Sequence, residues 1–167
     1  MAPLTYRPLT VGTRTLDVHN VRIEALMSSI TTITSGTVLA GESGEQNTRG
    51  NFLLAAQEVY ADDVTWTAPV RELKISGRDA VIDHLRREVA GMHEPEFTFL
   101  RRNGNERQMI DEFAVRFVYA GHGLERAPVI AGDLVELKRV RILDVRAGRV
   151  TQETCIENWT VLKPATR

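Results

Sequence analysis

The chain has 167 residues, 43% of them hydrophobic and 26% charged, with a formal net charge of −1. Such a chain buries roughly 70% of its unfolded surface in one domain, and its balanced charge leaves no global field to draw in nucleic acid or a membrane surface. Its single cysteine, Cys155, cannot form an internal disulfide, and no His/Cys spacing suggests zinc. No run approaches the ~18 apolar residues of a membrane span, so the expected setting is the reducing cytoplasm.

Residues 1–20 contain Pro3, Pro8 and Gly12 and read as an extended arm ahead of a single domain over 21–167. From Asp17 to Ile33, apolar residues including Val21, Ala25, Ile30 and Ile33 approximate a helical face. The polar stretch Gly41–Gly50 reads as a loop. Asn51 can cap a short helix carrying Phe52, Leu53, Ala56 and Val59. Val64-Thr65-Trp66-Thr67 reads as a strand ended by Pro69. Ser76 or Gly77 opens a clearer helix with Ala80, Val81, His84 and Leu85 on one face, and Asp79 and Asp83 in its first turns, where the helix dipole favours them. After Pro95 the character changes: 96–102, 107–120, 133–146 and 149–162 are rich in Val, Ile, Phe, Tyr and Thr. Turn residues separate them at Asn103-Gly104-Asn105, Gly121-His122-Gly123 and Ala147-Gly148. Helices followed by long strands joined by short loops predict an α+β fold with a curved antiparallel sheet, whose concave face is part covered by the helices and leaves a pocket for a small, largely apolar molecule.

Four segments carry a resemblance to a known family: Gly50-Asn51-Phe52 through Tyr60-Ala61-Asp62-Asp63-Val64-Thr65-Trp66; Ser76-Gly77-Arg78-Asp79-Ala80-Val81; Ala120-Gly121-His122-Gly123; and Val135-Glu136-Leu137 through Gly148-Arg149-Val150. In this order and spacing the chain resembles the nuclear-transport-factor-2-like superfamily, and within it the SnoaL-like polyketide cyclases. The resemblance implies a cone-shaped, cystatin-like α+β barrel, usually dimeric through the outer face of the sheet, with ligands in the cone. It does not imply one reaction, since such proteins include cyclases, isomerases, dehydratases, epoxide hydrolases and non-catalytic binding proteins.

Alternation along the last strand puts Thr151, Glu153, Cys155, Glu157 and Trp159 on one face. The resemblance to SnoaL-like cyclases and limonene epoxide hydrolases places a catalytic aspartate on this strand, and the ungapped equivalent here is Cys155. Glu153 and Glu157 flank it on the same face. A carboxylate in a partly apolar pocket has a raised pKa and can serve as acid or base near neutrality, which makes both candidates. They could equally pair with Arg139, Arg141 or Arg116 across strands. Cys155 has no base beside it in sequence and reads as a buried thiol lining the pocket.

His122 matches a family histidine in register and is a candidate for proton transfer, with an exposed loop residue as the alternative. His84 is expected to point toward the cone as a ligand contact or as a satisfied core histidine. Tyr60, Trp66 and Trp159 are candidate pocket walls, the first two with polar tips able to reach a ligand carbonyl. An epoxide-hydrolase arrangement needs a water-activating carboxylate, an acid and an orienting arginine. Asp111, Glu112 and Arg116 with Glu153 or Glu157 could approximate it, and Glu112 and Arg116 could instead form an outer-face ion pair. A ketosteroid-isomerase mechanism is disfavoured, because Ala68 precedes Pro69 where that family carries its base, and Arg141 falls where it carries a neutral acid.

The expectation is therefore a cofactor-independent enzyme using carboxylate/His acid-base chemistry on a polyketide-, terpenoid- or steroid-like substrate, with Glu157, Glu153 and His122 catalytic and Tyr60, Trp66, His84, Cys155, Trp159 and Arg116 contacting ligand. No metal or nucleotide cofactor is called for, since no Gly-rich phosphate loop follows a strand. The alternative is a ligand-binding or dimeric assembly module of the same fold, in which both glutamates are ordinary ion-paired groups.

Overall fold

The computed structural model describes residues 57–166. The expected arm, the helix over 17–33 and the loop over 41–50 lie outside the described residues, as does most of the helix over 51–59, whose last three residues are helical. Six strands form one sheet in the order β2-β1-β6-β5-β4-β3. They are β1 (Tyr60–Ala68), β2 (Leu73–Ser76), β3 (Met92–Gly104), β4 (Gln108–Tyr119), β5 (Leu134–Arg146) and β6 (Arg149–Lys163), with one longer helix, α1 (Arg78–Ala90), between β2 and β3. All pairings are antiparallel except that of β1 with β6, which is parallel. The α+β class is as expected. The short strand β2 is an addition: its four residues, Leu-Lys-Ile-Ser, alternate half-buried and exposed over too short a span to stand out by periodicity.

Local chemistry sets the breaks. Pro69 opens a one-turn 3-10 helix over Pro69–Arg71, and Glu72 closes it in a left-handed conformation (φ 52°), turning the chain back so that β2 pairs with β1. Gly77 takes φ 91° at the N-cap of α1, a conformation open to glycine at no steric cost. Residues Val81, Ile82, His84, Leu85 and Glu88 are its buried face, the i, i+3, i+4, i+7 stripe of a helix laid on a sheet. Ala147 and Gly148, both at positive φ, make the two-residue hairpin turn that the twist of paired strands favours.

The concave face of the sheet holds two apolar clusters. One gathers Val59, Tyr60, Val64, Trp66, Val81, Leu85, Met109, Leu143, Val150 and Cys155. The other gathers Val115, Phe117, Tyr119, Leu124, Val135 and Leu137. Between 120 and 133 a long loop is seated on the end of α1. A Cβ on Gly91 would lie 2.2 Å from the His122 carbonyl oxygen, and one on Gly123 would lie 2.0 Å from that of Arg87. These two close approaches hold the loop in place and leave the His122 side chain exposed. Gly123→Ala must move backbone and also strains a φ of +79°, so it is expected to cost about 2 kcal/mol or more, read as a lower urea midpoint at unchanged m-value.

Candidate functional site

The strand parity expected for β6 is what the structure shows. Glu153, Cys155 and Glu157 all face inward and are buried, while Ile156 is exposed on the outer face. In the β5–β6 register Arg139 stands opposite Glu157, Arg141 opposite Cys155 and Leu143 opposite Glu153. This register brings two arginines and two glutamates together on one side of the sheet.

Around Glu157 the charges close into a ring. Arg71, from the 3-10 turn, grips Glu157 with a two-pronged fork, Nε to Oε2 at 2.8 Å and Nη2 to Oε1 at 2.9 Å. Arg139 Nη2 donates to the same Oε1 at 2.6 Å and Trp159 Nε1 to Oε2 at 3.1 Å. Across the ring stands Glu88 of α1. Its Oε1 accepts from Arg71 Nη2 and from Arg139 Nη2 (3.2 Å), and its Oε2 from Arg139 Nη1 (3.0 Å). The Arg71 guanidinium also sits 5.6 Å from the Trp66 ring centre and 5.9 Å from that of Trp159, a double cation–π contact. His84 packs against Trp66 with ring centres 4.3 Å apart, and its Nε2 lies 3.3 Å from Glu88 Oε1 without hydrogen-bond angles.

A second group lies further along β6. Glu153 accepts from Arg141 Nε (2.7 Å) and Nη2 (3.1 Å), from the Tyr60 hydroxyl (2.6 Å) and from Cys155 Sγ (3.4 Å). Burial alone would raise the Glu153 carboxyl, but the charge and hydrogen bonds of Arg141, helped by Tyr60 and Cys155, hold it below the usual carboxylate range. Glu88 behaves likewise: burial works against its ionised form, and Arg139 first, then His84 and Arg71, keep it far below the ordinary value. Burial and the adjacent Glu153 charge push the Tyr60 hydroxyl and the Cys155 thiol well up. Cys155 is thus a protonated core thiol and not a nucleophile.

These placements correct several expectations. Glu153 does not have a raised pKa, because Arg141 neutralises it in place. His122 is not brought to the cluster; its loop is fixed on the far side of the α1 terminus and its side chain is exposed. Arg116 points outward and pairs with Glu136 at 3.0 Å, and Glu112 pairs outward with Arg101 at 2.5 Å. Asp111 is buried and held by Arg102. Tyr60, Trp66, His84, Cys155 and Trp159 all gather around the two charged groups. Arg71 and Glu88 were not singled out from sequence. Glu88 was legible as the next buried position of the α1 stripe, four residues after His84; Arg71 sits in a three-residue turn with no periodicity to betray it.

The interior space left by this packing is small. A cavity of about 20 Å3 lies beside the ring, lined by Leu85, Glu88, Val89, Met92, Phe97, Phe113, Val115 and Arg139, which is room for a single water. A wider cleft of about 540 Å3 opens at the β5–β6 hairpin between Asp62, Asp63, Arg78, Arg146 and Arg149 and contains none of the expected site residues. Among the described residues no helix is long and apolar enough to cross a membrane.

The acceptor count separates the three carboxylates. A carboxylate has about four lone-pair positions. Glu157 and Glu153 each receive four donors, whereas Glu88 Oε2 accepts only from Arg139 among the described residues. Glu88 alone of the three lines the cavity.

This architecture has known counterparts. The chain belongs to the SnoaL-like domain family, whose pattern matches residues 48–153. Its fold is similar to that of a proposed SnoaL-like polyketide cyclase from Jannaschia sp. CCS1 (TM-score 0.61, 10% identity, covering 87% of this chain and 92% of that one). It is also similar to a proposed polyketide cyclase from Xanthomonas campestris pv. campestris (0.56, 19%, 84% and 93%) and to a proposed ketosteroid isomerase from Kribbella flavida DSM 17836 (0.55, 17%, 88% and 85%). At these identities the likeness is one of fold. No curated protein matches the chain.

Removing one member of the ring leaves buried charge unpaired. Arg71→Met and Glu157→Gln are each expected to lower stability by about 3–5 kcal/mol, measured by equilibrium denaturation. The pH dependence follows from the depressed carboxyls. With folded values below the unfolded ~4.3, Glu88 and Glu153 contribute full stability above that value and lose it as pH falls through their folded values. Thermal midpoints should therefore drop steeply below about pH 4, and a Glu153→Gln variant should show a lower but flatter profile.

Proposed function

We propose that this protein is a cofactor-independent SnoaL-like enzyme acting on a small, largely apolar molecule of polyketide, terpenoid or steroid character, with Glu88 as its general base. The observation that supports this is the open acceptor position of Glu88 Oε2 on the wall of an otherwise largely apolar cavity. Ligand sites combine apolar walls with a few placed polar groups, and here those groups are Glu88 and Arg139. Glu157 and Glu153 keep structural roles, since every acceptor position they have is taken. Arg71 and Arg139 orient the Glu88 carboxylate, and Trp66 and His84 back it. A carboxylate held this low is a weak base until an apolar ligand shields it further from water, which strengthens it. Admission of such a ligand needs the cavity to widen, and half-buried Met92 and Phe97 at its edge are the side chains placed to move. The lone cysteine fits a cytoplasmic setting.

A second reading is a non-catalytic ligand-binding module. It is favoured by the saturation of Glu153 and Glu157 by neighbouring donors, which is the ion-paired behaviour such a module requires. The two readings separate on a panel of apolar ketones, epoxides and aromatic polyketides, followed by mass spectrometry for turnover and by thermal shift for binding. The enzyme reading expects turnover of at least one compound class, reduced at least about 100-fold by Glu88→Gln. Binding with no turnover across the panel would favour the module.

For the assembly we propose a homodimer through the outer face of the sheet. Ile110 stands opposite Ile142, and Val140 opposite Ile156, giving a contiguous apolar patch in which Ile110 and Ile156 are exposed. Ile156→Lys is expected to convert a dimer to a monomer in sedimentation; a wild-type protein that sediments as a monomer at high concentration would remove the proposal.

A further inference from the structure

Two polar atoms beside the small cavity lack the partners that their burial calls for. Glu88 Oε2 has one donor, Arg139 Nη1, and Arg139 Nε is a buried N–H with no acceptor among the described residues. Arg139 and Glu88 both line the cavity, and apolar Leu85, Val89, Phe113 and Val115 make up most of the rest. A buried donor left unpaired costs its full desolvation, so such atoms in a folded protein call for an explanation.

The chemistry needed is specific. The missing group must give a hydrogen to Oε2 and take one from Nε. A hydroxylic oxygen does both. A carbonyl or ether oxygen can accept from Arg139 but turns a lone pair toward Glu88, and a hydrocarbon satisfies neither. The volume of about 20 Å3 admits one water and no carbon-bearing molecule unless the cavity widens.

We propose that Glu88 and Arg139 hold one hydroxylic oxygen between them: a water in the ligand-free protein, and the hydroxyl of an apolar ligand when one enters. The ligand half of this rests on the reading of the cavity as the ligand site. It names a substrate class within that reading, an apolar body presenting a hydroxyl at its buried end.

Two measurements test it. Oxygen-17 magnetic relaxation dispersion counts long-lived internal waters, and the wild type should show one more than Val89→Leu, which fills the cavity from α1. Equal counts would overturn the water site. Cyclohexanol, cyclohexanone and methylcyclohexane, titrated by ligand-observed NMR, share one body and differ in the polar group. The alcohol should bind about tenfold or more tightly than the other two. In Glu88→Gln, whose amide can donate to a carbonyl, its advantage over the ketone should shrink or reverse. Equal affinities of all three for the wild type would overturn the hydroxyl subsite while leaving the apolar ligand site intact. Binding of none would overturn the ligand site and with it this part of the inference.

Discussion

Two arginines and two glutamates placed in the interior of one small domain impose the strongest constraint on this structure. Taking ions out of water costs several kcal/mol each, recovered only with close geometry and full hydrogen bonding. Arg71, Glu88, Arg139 and Glu157 meet that condition together and in no smaller subset. Their positions therefore fix much else: the inward turn after Pro69, the rotation of α1 that buries His84 and Glu88, and the β5–β6 register that sets Arg139 against Glu157. A one-residue slip of that register would send both charges to the outer face and leave Arg71 and Glu88 facing Ile156 and its neighbours.

The same ring decides which group has chemical capacity to spare. Guanidinium forks stabilise carboxylates by occupying them, so a buried, paired glutamate is first a structural element. Glu157 and Glu153 are of this kind. Glu88 differs through a detail of geometry: Arg139 reaches its two oxygens unevenly and leaves one partly open toward the apolar wall of α1 and β4. Burial and charge are alike at all three sites, and only the count of donors distinguishes them.

Much of the architecture was legible in the sequence. The four long strands, the α1 helix and the inward parity of Glu153, Cys155 and Glu157 followed from alternation and turn residues, because these depend on local chemistry. The possible pairing of those glutamates with Arg139 and Arg141 was also open to a cross-strand argument. What could not be read was the partner set. Arg71 enters from a three-residue turn, Glu88 from a helix, and nothing in the local pattern says that they meet 17 residues apart above a strand lying 86 residues from Arg71. His122 misled for a related reason: its register matched, but two glycine-enabled backbone contacts carry its loop away from the ring. The raised carboxyl pKa failed because desolvation was considered without the arginines that outweigh it.

The parallel pairing of β1 with β6 has a kinetic consequence. Strands β3 to β6 are joined as successive antiparallel neighbours and can zip from local contacts, but β1 must wait for β6, and Tyr60 meets Glu153 across 93 positions of chain. Such distant closure is slow, because loop entropy is lost before any contact repays it. Arg71 and Glu88 therefore remain hydrated until the last strand arrives, and their dehydration coincides with closure of the sheet. The charged ring acts as a late checkpoint: a chain whose β6 is mispaired retains solvated charges where its core should be and cannot complete its collapse.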